Sequence, residues 1–235
     1  MIKKLIRKVI RRSKRFLKWK HILLTLNDQK PYSNVFGLDK GTPIDRLYIE
    51  HFLNLNKEYI TGNVMEVAES TYSHKFGHDV TDFKILHYDT SNDIATITGD
   101  LSAPESLPSR VCDCFICTQT LNFIFDVQSA IQGSYKLLSP GGVFLGTVAG
   151  LSQISRYDMD RWGDYWRFTN LSVKLMFEKV FGENMVETVV FGNALAATAF
   201  IQGIPVEEIF NKNKLMETDD NYQLIIGIKA IKRNE

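Results

Sequence analysis

The stretch GNVMEV (Gly62–Val67) is the strongest indication of the fold of this 235-residue chain. A glycine opens a turn, the residues that follow have the length and apolar character of one buried strand, and Glu66 places a carboxylate near the end of that strand. Strands that are buried on both faces are typical of parallel sheets covered by helices. Further segments of this kind follow toward the C-terminus.

Six more segments with the length of strands follow Gly62–Val67. Helical stretches separate several of them; the clearest runs from Phe125 to Leu138 and is followed by the turn Ser139–Gly142. This alternation indicates βαβ crossovers and predicts a Rossmann-like, doubly wound α/β fold with a seven-stranded, mostly parallel sheet. The six segments are Lys84–Tyr88, Ala95–Gly99, Cys114–Cys117, Val143–Val148, Met185–Val190 and Tyr222–Ile231.

A further helix is predicted to precede the sheet. It begins around Thr42-Pro43, because a threonine side chain can cap a helix and a proline suits the first turn. Asp45 then favours the positive end of the helix dipole. We expect this helix to continue to about Tyr59.

Charge is distributed unevenly, although the formal net charge is only +1. Residues 1–20 hold ten basic side chains and no acidic one, which leaves 18 basic against 27 acidic side chains in the rest of the chain. The main domain is therefore acidic, and this disfavours a nucleic acid as its partner. No apolar stretch approaches the roughly 18 uninterrupted residues needed to cross a bilayer.

The basic segment MIKKLIRKVIRRSKRFLKWK (residues 1–20) has apolar residues at helical spacing. It predicts a basic amphipathic helix over residues 1–25 that can lie on an anionic membrane surface. Charges interrupt any secretory core, so we expect a cytoplasmic protein held peripherally at the inner face of the membrane. A helix docked on its own domain and a solvated arm are the alternatives.

All three cysteines, Cys112, Cys114 and Cys117, lie within six residues at the fourth predicted strand. Three ligands are too few for a structural zinc site, so we interpret them as small buried residues of the sheet. An odd, clustered set offers no disulfide framework and fits a reducing compartment such as the cytoplasm.

Polar side chains stand where four of the predicted strands end. Glu66, Asp89 and Asp100 end the first three strands, and Thr118-Gln119 ends the fourth. The carboxyl ends of parallel strands meet at one edge of a sheet, where doubly wound folds bind their ligands. Asp89 follows Glu66 by 23 residues, close to the ~20 expected between a nucleotide-binding loop and the acid that holds the ribose hydroxyls.

In this order, the strands and their polar ends resemble the motif series of class I S-adenosylmethionine (SAM)-dependent methyltransferases. The resemblance covers about residues 60–150 and, with the last two strands, extends to the C-terminus. It implies a methyltransferase domain over residues 26–235 with an antiparallel C-terminal strand, SAM as methyl donor, S-adenosylhomocysteine (SAH) as product and no metal. It also implies that Glu66 orients the methionine end of SAM, that Asp89 binds the ribose, that Asp100 and Leu101 contact the adenine, and that Thr118 and Gln119 line the transfer site.

The loop after Gly62–Val67 departs from that family. The family has Gly-x-Gly-x-Gly there, which lets the backbone approach the cofactor without a Cβ atom between them. This chain has Ala68-Glu69-Ser70-Thr71-Tyr72. Alanine and serine are the smallest replacements, so we expect Ala68, Glu69, Ser70 and Tyr72 to contact SAM from a shifted loop. The alternative is that the loop has lost SAM, which would leave a non-catalytic scaffold.

The segment Tyr157–Phe168 is rich in aromatic and charged residues. Within twelve residues it holds two tryptophans, two tyrosines, three aspartates and two arginines. Aromatic faces stack on sugars and other rings, so we expect an acceptor to bind at Tyr157, Arg161, Trp162, Tyr165 and Trp166. Methyl transfer to a hydroxyl needs a base, for which Asp158, Asp160 and Asp164 are equal candidates. A packed surface loop with an Asp–Arg ion pair and buried tryptophans is the alternative.

Two further stretches, Gly41–Arg46 and Asp160–Phe168, are similar to bacterial methyltransferase-domain proteins that accompany glycosyltransferases in surface-polysaccharide assembly. The similarity implies a role in surface-polysaccharide biosynthesis but says less about the substrate. We predict that the acceptor is a small molecule or a glycan and that it is methylated at oxygen. Two other functions remain open. One is a non-catalytic interaction protein beside a glycosyltransferase at the membrane, and the other is an NAD-linked sugar enzyme.

Overall fold

A computed structural model describes residues 29–234 of the chain. These residues form one seven-stranded sheet with the strand order β3-β2-β1-β4-β5-β7-β6. β7 is antiparallel to both of its neighbours, and the remaining neighbouring strands run parallel. The predicted α/β architecture and its antiparallel C-terminal strand are confirmed. The strands are β1 (Gly62–Val67), β2 (Val80–His87), β3 (Ile97–Thr98), β4 (Cys112–Thr118), β5 (Leu138–Ala149), β6 (Val186–Phe191) and β7 (Ile225–Ile231).

Helices cover both faces of the sheet, because neighbouring residues of each central strand point to opposite sides. In β1, Val64 packs with the core beneath α1 and α6, whereas Met65 packs with the core beneath α3 and α5. Both side chains are fully buried. The helices are α1 (Ile44–Leu55), α2 (Thr71–Phe76), α3 (Val127–Leu137), α4 (Arg156–Met159), α5 (Asn170–Phe181) and α6 (Ala194–Ile201).

Long-range contacts move two of the predicted boundaries. The predicted turn Ser139–Gly142 belongs to β5, because the Gly141 N–H donates to the Lys232 carbonyl and the Lys232 N–H donates to the Gly142 carbonyl. Thr42 does not cap α1, since both its N–H and its hydroxyl donate to the Glu207 carboxylate. α1 also ends at Leu55, before the predicted Tyr59, and a short 3-10 turn follows it.

The three cysteines are buried side chains of β4, as predicted. Burial raises the pKa of the Cys112 and Cys117 thiols to about 12, so both stay protonated. No group of three or more His, Cys, Asp or Glu side chains within residues 29–234 is arranged to hold a metal ion.

The predicted basic helix over residues 1–25 and the domain boundary after it lie outside the described residues. Of the helices between residues 29 and 234, none is long and apolar enough to span a bilayer.

Candidate functional site

A cleft of about 1020 Å³ opens at the carboxyl edge of β1, β2, β3 and β4. Nine of the ten predicted cofactor residues line it, and Ser70 is the exception. The parallel register explains the convergence, because Glu66 lies beside Ile85 of β2 and Ile116 of β4. Each of these strands therefore delivers its following polar residues to the same opening.

Glu66 connects the end of β1 to the first turn of α2. Its buried carboxylate accepts hydrogen bonds from the backbone N–H groups of Tyr72, at 3.1 and 3.2 Å, and Ser73, at 2.9 Å. Burial raises the pKa of Glu66, and the two N–H donors partly offset that effect. Glu66 therefore shapes the cleft by holding the loop between β1 and α2 against the sheet.

The loop that lacks the glycines keeps a glycine-like backbone at Ala68. This residue has φ = 67°, in the left-handed region that alanine rarely adopts. Its N–H donates to the Leu86 carbonyl at 2.9 Å, and its carbonyl accepts from the Asn92 side chain at 2.8 Å. Hydrogen bonds at both ends of the residue therefore hold the turn open, with the methyl group on the cleft wall.

The side chains of Asp89 and Asp100 each accept hydrogen bonds from within their own loop. In each, Oδ1 accepts from both the N–H and the hydroxyl of the serine two residues later, Ser91 or Ser102, at 2.5–2.9 Å. For Asp89, the Ser91 hydroxyl and amide hold the carboxyl pKa below its ordinary value. Among residues 29–234 no hydrogen bond reaches either Oδ2 atom, so each aspartate can present an oxygen to a ligand.

Gln119 turns the chain sharply after β4. It has φ = 50°, its N–H donates to the Thr147 carbonyl at 2.8 Å, and its side chain donates to the Thr147 hydroxyl at 3.2 Å. Gln119 and Thr118 both line the cleft.

The three candidate bases occupy different positions. Asp158 lines the cleft, where its two oxygens accept from the Ser155 hydroxyl at 2.5 Å and the Trp162 indole N–H at 3.1 Å. Asp160 lies outside the cleft lining and forms an exposed ion pair with Arg156.

Asp164 lies away from the cleft lining, with a fully buried side chain. It pairs with Arg167 through both guanidinium ends, at 2.6 and 2.9 Å, and accepts from the Ser155 N–H. These donors lower its pKa and outweigh the opposing effect of desolvation, which is the largest single contribution. The expected Asp–Arg pair of a packed loop thus exists here, beside the cleft.

Only some of the predicted acceptor residues line the cleft. Arg161, Trp162 and Tyr165 line the cleft, whereas Tyr157 and Trp166 support them from outside it. The Trp166 indole donates to the Ile124 and Phe125 carbonyls at 3.2 Å, and Tyr157 lies beneath the Arg161 guanidinium.

Sequence reasoning missed several cleft residues. Arg46, on the first turn of α1, lines the cleft with its guanidinium 5.4 Å from the centroid of the Tyr72 ring. Phe125, between β4 and α3, projects into the same space and is 70% exposed. A strap over residues 33–41 adds Val35, Phe36 and Leu38 as a wall. Only Arg46 had a signal in the sequence, since it ends the Gly41–Arg46 similarity.

No protein-family model matches the sequence, and no curated protein matches it. Solved structures do resemble it. A SAM-dependent methyltransferase from Archaeoglobus fulgidus has a TM-score of 0.50 and 11% identity, over 80% of this chain and 94% of that chain. An S-adenosylmethionine-dependent methyltransferase from Mesorhizobium loti has a TM-score of 0.51 and 14% identity, over 80% and 98%. At such identities the similarity shows a shared fold.

Proposed function

We propose, on the premise of this shared methyltransferase fold, that the protein is a SAM-dependent methyltransferase that methylates a hydroxyl oxygen of a small molecule or a glycan. The observation that carries the proposal is the convergence of the β1, β2, β3 and β4 ends on one cleft. A fold alone does not define a function, so the proposal also needs a fit between this cleft and SAM.

The charges of the cleft suit SAM, which has a sulfonium, an ammonium and a carboxylate. Six carboxylates and two arginines line it, and this balance favours a ligand with net positive charge. Arg46 is the proposed partner of the SAM carboxylate, because no side chain within residues 29–234 forms an ion pair with it. The six acidic residues are Asp45, Glu66, Glu69, Asp89, Asp100 and Asp158.

The backbone at Ala68 also fits a cofactor that must approach closely. A left-handed turn at this residue leaves the loop in the shape that glycine would give it, and the one added methyl group is small. Asp89 would hold the ribose hydroxyls through Oδ2, while Asp100 and Leu101 would contact the adenine.

SAM supplies a methyl group on a positively charged sulfur, so the protein mainly has to position the acceptor and receive a proton. Asp158 is the proposed base, because it is the candidate aspartate that lines the cleft. The acceptor oxygen would bond to the methyl carbon as the bond between that carbon and the sulfur breaks to release SAH, and the acceptor proton would pass to the Asp158 carboxylate. Ser155 and Trp162 hold that carboxylate in place through their hydrogen bonds.

Calorimetric titration with SAH tests the cofactor site. Asp89→Asn keeps an oxygen that can accept from Ser91 but replaces the other with an amide that cannot accept from ribose. We expect this variant to bind SAH at least tenfold more weakly than wild type, about the loss of one charge-assisted hydrogen bond. Asp93→Asn is the matched control, because Asp93 is an exposed acid of the same β2–β3 loop outside the cleft lining.

Failure of the folded wild-type protein to bind SAH would refute the proposal. Binding of NAD instead would favour an NAD-linked sugar enzyme. Binding of neither would favour a non-catalytic interaction protein with this fold. A role in polysaccharide assembly, a cytoplasmic location and attachment of residues 1–20 to an anionic membrane remain predictions from the sequence.

A further inference from the structure

Large exposed aromatic side chains surround the acceptor end of the cleft. Phe125, Trp162 and Tyr165 all line it and are 70%, 45% and 49% exposed. Phe125 contacts Tyr165 edge-to-face at 5.5 Å between ring centroids, and stacks on Trp166 at 6.0 Å. Exposed aromatic groups that are held by each other form a preorganised surface for a ring or an apolar face.

The polar atoms of these rings already form hydrogen bonds within the protein. The Trp162 indole donates to Asp158, and the Tyr165 hydroxyl donates to the Trp162 carbonyl at 3.0 Å. Phe125 has no polar atom. The three rings therefore offer the cleft faces and edges rather than hydrogen bonds, and other groups must recognise the polar part of the acceptor.

Arg161 is the cation at this end of the cleft. Its guanidinium carbon lies 3.5 Å from the centroid of the Tyr157 ring, and one of its N–H groups donates to the Tyr157 carbonyl at 2.7 Å. Stacking and this hydrogen bond orient the guanidinium, and its remaining N–H groups are available as a planar set of donors.

The nearby carboxylates of the described chain are engaged elsewhere. Asp160 pairs with Arg156, Asp164 pairs with Arg167, and Asp158 accepts from Ser155 and Trp162. Within residues 29–234 no carboxylate forms an ion pair with Arg161. An oriented arginine without an acidic partner, next to aromatic faces, is suited to an anion carried by a ring.

We propose that the acceptor is a sugar with an anionic substituent, a carboxylate or a phosphate. Its apolar face would lie on the surface formed by Phe125, Trp162 and Tyr165, and its anion would bind Arg161. This rests on the proposed methyltransferase function, and it places the methylated hydroxyl between the SAM methyl group and Asp158. Neutral sugars then bind more weakly than acidic ones because they leave the arginine without a partner.

Saturation-transfer NMR titration tests this with glucose, glucuronate and glucose 1-phosphate as observed probes. Inorganic phosphate, which has no carbon-bound protons to observe, is titrated as a competitor of glucose 1-phosphate. We expect the better of the two acidic sugars to bind the wild-type protein about tenfold more tightly than glucose, the effect of one charge-assisted hydrogen bond. The comparison of glucuronate with glucose 1-phosphate identifies which anion the site takes. Each titration is performed with and without SAH.

Arg161→Gln should abolish the preference for the acidic sugar. Arg156→Gln should preserve it, because Arg156 lies five positions earlier in the chain, pairs with Asp160 and does not line the cleft. Phe125→Ala should weaken glucose and the acidic sugar alike, since Phe125 contributes only its ring.

Four results would overturn the inference. Two concern the wild-type protein: glucose and both acidic sugars bind equally, or inorganic phosphate binds as tightly as glucose 1-phosphate. The others are an equal loss of the preference for the acidic sugar in the two arginine variants, and no sugar binding by a protein that binds SAH. Absence of SAH binding is a separate outcome. It would refute the methyltransferase proposal, whereas the sugar titrations without SAH would still show whether Arg161 recognises the anion.

Discussion

Replacing Ala68 with glycine should stabilise the protein, although most alanine-to-glycine changes destabilise. Ala68 has φ = 67°, and a left-handed conformation costs a residue with a Cβ atom about 1–2 kcal/mol. Glycine removes this cost but adds about 0.4–1 kcal/mol of freedom to the unfolded chain. Ala68 is exposed, so the change leaves no buried cavity. The net expectation is an increase of about 0.5–1 kcal/mol in the free energy of unfolding.

The matched control is Ala103→Gly. Ala103 also lies outside the regular elements, but it has φ = −117°, where alanine is unstrained. Only the unfolded-state effect then applies, and the free energy of unfolding should fall by about 0.5–1 kcal/mol. The two variants should therefore differ by about 1–2 kcal/mol, with opposite signs relative to wild type.

Urea denaturation followed by tryptophan fluorescence measures this difference, provided that the dependence on urea concentration is unchanged. Thermal melts should shift in opposite directions by about 2 °C for a chain of this size. If Ala68→Gly destabilises as much as Ala103→Gly, the argument from backbone strain is refuted. SAH should bind Ala68→Gly at least as tightly as wild type, because the change removes a methyl group from the cleft wall.

Two other substitutions test the buried polar contacts. Asp164→Asn should lower the free energy of unfolding by about 3 kcal/mol at pH 7, because it leaves Arg167 without its buried partner. Asp160→Asn, in the exposed ion pair, is the control and should change the free energy of unfolding by less than about 1 kcal/mol. Urea titrations measure both. The pKa of Asp164 is lowered from 3.8, so its contribution is fully present above that value and is lost as the pH falls through the lowered pKa. Equal effects of the two changes, or a wild-type advantage that does not shrink as the pH falls from 7 through the acidic range, would contradict the assignment. Tyr48→Phe should cost about 1–3 kcal/mol in the same assay, because it removes the 2.6 Å hydrogen bond to the buried Leu215 carbonyl. The exposed Tyr88→Phe serves as its control, and a loss of equal size there would show that the buried hydrogen bond is not the cause.

Much of the sheet could be predicted from local sequence. β1 has the bounds expected from a glycine turn followed by an apolar run. β2 begins earlier than its predicted segment, and β4 is longer than its predicted segment at both ends. β5 begins five residues before its predicted start, because its first part is held by Lys232, about ninety positions later in the chain. The cap predicted at Thr42 failed for a similar reason, as Glu207 takes both of its donors. Local propensity contains no information about such distant partners.

The candidate site was likewise predicted in part from local sequence. The strand pattern alone predicted that Glu66, Asp89 and Asp100 would share one opening, because strands that run in the same direction bring their carboxyl ends to one edge of a sheet. It also identified the aromatic and charged segment after β5 as the other side of that opening.

Which polar groups of that segment face the cleft depends on how the distant segments pack together. Asp158, Asp160 and Asp164 are alike in sequence, and they differ because Arg156 and Arg167 pair with two of them and leave the third to line the cavity. Arg46 reaches the same cavity because α1 packs over α2, beside Tyr72. Apolar periodicity records which side of an element is buried, whereas the partner of each charge depends on segments that folding brings together from distant parts of the chain.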